Sequence, residues 1–168
     1  MGRSSINVKR LTMWEQLTDS ETATTYGTDA HAFTNELNSA KYTPKTETAP
    51  QYGDGVKVED YVAKDGGDID IVIRGFKQGD EAFLFGEKET TTEKTSISGS
   101  DDIVPYVCVA YMTERPDGKV NLYKFPKVKF MPQGEDSQQR EGTKISYTTA
   151  NIKGTYSPLL SSHADCYK

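Results

Sequence analysis

The run Asp68-Ile69-Asp70-Ile71-Val72-Ile73-Arg74 constrains the fold more than any other stretch of the chain. Its period is two. Ile69, Ile71 and Ile73 fall on one side, and Asp68, Asp70 and Arg74 on the other, the pattern of a strand with one face in a core and one in water. Gly66-Gly67 before it and Gly75 after it are turn or bulge signals. A sheet protein follows, and the 19 threonines and 10 tyrosines point the same way, since both residue types suit a pleated, half-buried surface.

Further strands can be read around this one. Pro105 to Met112 places Tyr106, Cys108, Ala110 and Met112 on one face and Val107, Val109 and Tyr111 on the other. Both faces are apolar or aromatic, so this strand is expected to be covered on both sides. Arg115-Pro116-Asp117-Gly118-Lys119 predicts a tight turn with Gly where a positive φ is needed. Val120 to Met131 returns as the second strand of a hairpin, and Pro126 within it calls for an edge position or a bulge. Lys144 to Tyr156 also alternates, and Asn7 to Leu17 and His31 to Tyr42 do so more faintly. Trp14, the sole tryptophan, is read as a core anchor, with an interface as the alternative.

Only Asp80 to Phe85 looks helical. It lies between Gly79 and Gly86, with Asp80 placed to cap the N-terminus and Gly86 as a C-terminal stop. So short a helix needs Phe83 or Leu84 packed on the sheet. Thr43 to Lys64, Glu87 to Asp102 and Met131 to Gly142 are polar and rich in Gly, Pro, Thr or Ser, and are read as long loops. The expectation is one mainly β domain over residues 1–168, a sandwich or barrel with one short flanking helix and long loops.

Composition narrows the function. Hydrophobic residues make up 35 % of the chain, so its core is lean. The net charge of −5 argues against a basic duplex-binding protein, whose affinity comes from Lys and Arg on phosphates. No run of about 18 apolar residues offers a membrane-spanning helix, and no apolar stretch after Met1-Gly2-Arg3-Ser4-Ser5 offers a signal peptide. Cys108 and Cys166 are therefore expected as reduced thiols, Cys108 buried, although their spacing leaves a disulfide open.

The search for chemistry finds little. A metal site needs three or four ligands at workable spacing. His31 has only Asp29 beside it, and His163 only Asp165 and Cys166, so both histidines are read as exposed or lightly packed. Neither a phosphate-cradling glycine loop nor a nucleophile elbow is present; Gly53-Asp54-Gly55 is a turn. The pairs Asp101-Asp102, Glu135-Asp136 and Glu59-Asp60 lie in loops without an aromatic platform for a sugar. Asp68 and Asp70 lack the rest of a calcium loop, and strand alternation already explains them. No catalytic residue, cofactor or metal is predicted.

The order of segments along the chain resembles the major tail tube proteins of siphophages and of tail-like bacteriocins. Val8-Lys9-Arg10-Leu11 followed by Thr24-Thr25-Tyr26-Gly27 is similar to the family's opening strand and Thr-Tyr-Gly turn. Gln51 to Glu59 resembles its tyrosine- and aspartate-containing loop, and Gly67 to Ile71 its Gly-aspartate-aliphatic strand. Asp80 to Gly86 resembles its short helix, and Pro105 to Phe130, with the Asp117-Gly118-Lys119 turn, its C-terminal hairpin. The resemblance covers most of the chain, and its weight lies in the series of segments, since no one motif is specific.

That resemblance implies a structural protein of a virion tail with no active site. Six copies would close a ring, rings would stack, and DNA would pass through the lumen without being gripped. A tape measure protein and a tail terminator would be partners, with no membrane anchor. Ring closure removes unpaired sheet edges, and ring stacking is a heterologous contact that grows filaments. Six copies at −5 each carry −30 per ring, which would repel phosphate if the acids lined the lumen. Asp68 and Asp70 are the expected lumen-facing residues. Tyr42, Tyr52, Asp54 and Tyr61, in or beside the long Thr43–Lys64 segment, are the expected inter-subunit contacts. The alternatives are a terminator or tube-completion protein of the same fold, or a β-sandwich binding module with exposed tyrosines. A hydrolase on a β scaffold is disfavoured by the scarcity of histidine and motifs.

Overall fold

The structure, a computed structural model, describes residues 4–54, 56–90, 92–93, 95–134 and 149–168. Its strands are β1 (Asn7–Asp19), β2 (Thr24–Tyr26), β3 (His31–Phe33), β4 (Leu37–Gly53), β5 (Val56–Ile73), β6 (Lys88–Thr90), β7 (Thr95–Ile97), β8 (Tyr106–Glu114), β9 (Val120–Phe130) and β10 (Ala150–Tyr156). One helix, α1 (Asp80–Phe85), follows β5. The fold is mainly β, as the alternation predicts.

Eight strands form one antiparallel sheet in the order β2-β1-β8-β9-β10-β5-β4, with β3 sharing with β2 the remaining edge of β1. This sheet curls. β4 and β9 stand three strand steps apart, about 14 Å in a flat sheet. Yet the Tyr42 ring of β4 lies 5.3 Å from Phe125 of β9 and 6.1 Å from Tyr123. The curl gathers the inward residues of both halves into one core around Phe125, Phe130, Ile71, Met13 and Val109. Ile69, Ile71 and Ile73 are all inside.

Pro126 sits where the pairing of β8 and β9 slips, between Val107↔Val128 and Val109↔Phe125. Of the two expected placements the bulge is the one observed: β9 is a central strand, and the irregularity spares it a ladder donor that Pro lacks. β8 is covered on both sides through Val107–Tyr111, as its composition predicts. The turn after it holds Gly118 at φ 76°.

Four expectations change. Thr43 to Lys64 is not a loop: it is the outer part of the β4–β5 hairpin, paired down to Gly53↔Val56. Within Glu87 to Asp102, β6 and β7 form a small hairpin of their own. Trp14 is not in the core, because Leu11 and Met13 take the inner positions of β1 and leave it half-buried on the outer face. Asp80 does not cap α1: Gly79 holds the N-cap, and the carboxylate accepts from the Lys77 amide instead. Gly86 ends the helix as expected, at φ 74°, with Leu84 and Phe85 buried. Residues 135–142 and 144–148, parts of a predicted loop and a predicted strand, lie outside the described residues.

The last twelve residues form a strap back over the sheet. Tyr167 pairs with Lys124 of β9, beyond the point where β10 stops. Leu159 is buried, and Lys64 of β5 holds Asp165 at 2.6 Å. Both thiols are free; burial pushes Cys108 up to about 11 and Cys166 upward as well.

Candidate functional site

The most conspicuous feature is the outer part of the β4–β5 hairpin. From Pro44↔Gly67 to Gly53↔Val56 it runs ten residues on the β4 side, an arm of about 30 Å. Its root is fixed by glycine. Gly66 has φ 62°, and a Cβ there would overlap the Tyr156 carbonyl oxygen, so only glycine lets β5 leave the sheet past the end of β10. Beyond the root the described side chains on both sides of the arm are exposed or half-exposed. Tyr61 pairs with Ala49 and Val62 with Thr48, so the two large side chains face opposite ways. They are 69 % and 59 % exposed, and Tyr52 near the tip is 66 % exposed.

The arm therefore carries Tyr52, Asp54 and Tyr61, three of the four residues expected to meet a neighbour. Asp54 is exposed at the turn, with φ 52°. Tyr42 is separate. It belongs to the curled sheet, packs on Phe125 and Tyr123, and lies under the Lys168 ammonium at 4.9 Å.

Asp68 and Asp70 face outward, but their surroundings are not acidic. Asp70 is paired across the strands with Lys41 on one side and Lys153 on the other. Asp68 holds Lys45 at 2.9 Å and lies between Thr43 and Thr155, the latter in register with Lys129. The outer face of β4, β5 and β10 is thus a strip of interleaved charge with threonine between, in place of the expected acidic wall. Opposite charges so paired are each worth about 0.2–1 kcal/mol. The alignment of Lys153 with Asp70 depends on register across strands distant in sequence, so the sequence alone does not show it.

Two polar clusters have structural work. His31 is not lightly packed: its Nε2 lies 2.7 Å from Asp80 Oδ1, and its ring stacks on Phe83 at 4.5 Å, tying β3 to α1. Asp19 at the end of β1 holds Lys127 at 2.6 Å and accepts from the Leu160 amide at 3.1 Å, anchoring the strap. Burial pushes the Asp19 carboxyl up; Lys127, the Leu160 amide and Thr24 outweigh it and leave it below the usual aspartate value. His163 is exposed in the strap at φ 52°.

Among the described residues, no three His, Cys, Asp or Glu side chains gather as a metal site, and no helix is long and apolar enough to cross a membrane. Comparison with protein-family models gives no match, and comparison with curated proteins gives none.

Proposed function

We propose that the chain is the subunit of a phage-type tail tube, assembling with copies of itself into stacked six-fold rings around a lumen that conducts DNA. The observation that carries this reading is the arm. A two-stranded ribbon without a covered face is at best marginally stable in water. Its 30 Å reach and exposed Tyr52, Tyr61 and Val62 suit insertion against another subunit, where tyrosine adds large contact area. The order of segments that resembles the tail tube family supports the same assembly.

Negative-stain microscopy of the purified protein tests this directly. Hollow tubes of constant diameter are expected. Rings that stop growing would make the chain a terminator-like component, and monomers at high concentration would overturn the proposal.

In such a tube the strip of β4, β5 and β10 is our candidate for the lumen wall. Asp68 and Asp70 would there act as neutralisers. They offset Lys41, Lys45 and Lys153, which unpaired would grip phosphate. Replacing both aspartates by lysine adds four positive charges per subunit. Tubes are expected to form normally, while DNA transit slows by about tenfold or more at low salt and recovers as salt screens the contacts. Unaltered ejection kinetics in normally assembled tails would remove Asp68 and Asp70 from the lumen.

A further inference from the structure

The same outer face is of another kind at the other end of the sheet. The outer side of β1, β8 and β9 holds an open trough of about 540 Å³, formed by Trp14, Met112 and Leu122 around the buried Ala110 and rimmed by Arg10 and Lys124. Leu122 is 49 % exposed, and Trp14 and Met112 are half-buried. A sheet face left in water is ordinarily polar, as on the β4–β5–β10 side. An apolar floor of this kind marks a contact surface.

The rim says what sort of partner fits. Arg10 lies in a bulge of β1, where the pairing with β8 slips between Lys9 and Thr12, and it has the left-handed φ of 58°. That conformation is strained for a residue with a side chain, and such strain collects at functional positions. Among the described residues the Arg10 guanidinium has no hydrogen-bonded or ionic partner. Among the same residues the Lys124 ammonium meets the rings of Tyr26 and Tyr167, at 5.8 and 6.0 Å, and no carboxylate. Two cations without carboxylates beside an apolar floor call for a segment that is both aromatic and acidic.

This chain contains one. Residues 44–65 include Glu47, Asp54, Glu59, Asp60 and Asp65 against Lys45, Lys57 and Lys64, a net charge of −2. The same segment exposes Tyr52, Tyr61 and Val62. In the single chain the trough is open and these side chains are bare, so the two surfaces do not meet within one subunit. We infer that the Trp14–Met112–Leu122 trough is the receptor for the β4–β5 arm of a second copy. The inference deepens the proposed self-assembly and rests on it for the identity of the partner.

Two complementary cripples test it. A chain lacking Tyr52–Glu59 keeps the trough and loses the outer part of the arm. A full-length chain carrying Met112→Glu and Leu122→Glu, on exposed or half-exposed positions, keeps only the arm. Trp14→Phe in this second chain leaves the tryptophan of the open trough as the sole reporter. Each alone is expected to sediment as a monomer, and the mixture as a 1:1 complex, with Trp14 emission moving to shorter wavelength. Arg10→Glu in the arm-less chain should weaken that complex by about tenfold or more. If the mixture stays unassociated with unchanged emission while the wild-type chain forms tubes, the trough is not the receptor, and the tube proposal stands without it. If the mixture pairs but the wild-type chain forms no tube, the trough inference holds and the tube proposal falls.

Discussion

A chain lacking Tyr52–Glu59 is expected to stay folded and monomeric, with tube formation lost altogether. The described side chains of the deleted segment, Tyr52 and Asp54, are exposed, and the described core is drawn from β1, β3, β5 inward of Ile69, α1 and β8 to β10. The cut ends already face each other, because Pro50 pairs with Asp60 across the hairpin. Stability should therefore change by no more than about 0.5 kcal/mol, the range for surface changes, which is a Tm shift of about 2 °C or less. Size-exclusion chromatography, microscopy and a melting curve read all three quantities. Tubes formed by the shortened chain would show that the arm is not the link between subunits.

The second large effect is expected at Asp19. Its side chain is 9 % exposed and that of Lys127 is 16 % exposed. Asp19→Ala strands the Lys127 ammonium and removes the acceptor of the Leu160 amide. The cost should be about 3 kcal/mol, the low end for breaking a buried ion pair, since Lys127 retains a path to water. The strap should loosen first, seen as faster hydrogen exchange over Leu159–Tyr167. The wild type should show the same loosening in acid. Because the folded Asp19 carboxyl lies below its unfolded value of about 3.9, its contribution is whole at neutral pH. It is lost as pH falls through the folded value, so the strap should release below about pH 4 in the wild type and show no such step in Asp19→Ala. Exchange in the strap that is equal in both chains at pH 7 would refute the anchoring role.

What could be read in the sequence was what water writes there. Ile69, Ile71 and Ile73 alternate because one face of β5 is dry, and Val107 to Tyr111 are apolar throughout because both faces of β8 are. Pro126 announced its bulge because a missing donor must be accommodated somewhere. The arm left no such mark. Its described side chains are bare on both faces, and Lys45 to Lys64 shows no period-two pattern and reads as a loop. Trp14 misled for the converse reason: a large apolar side chain was assigned to the core, although Leu11 and Met13 already hold the inward positions of that strand. The pairing of Asp70 with Lys41 and Lys153 was illegible because it depends on register between β4, β5 and β10, and β10 lies some eighty residues downstream of β5.

The bareness of the arm also bears on when tubes begin. A ribbon that gains its stability only on docking must be ordered at the moment of contact, so the first encounters between free subunits are weak. In the proposed tube each later subunit would meet a finished rim that already presents its receptors in register. Growth should then show a concentration threshold and a lag that preformed ends abolish. In the proposed tube, a pool of subunits would then wait in solution and polymerise only where a template starts the column, and the marginal stability of one hairpin would become the timing control of the whole particle.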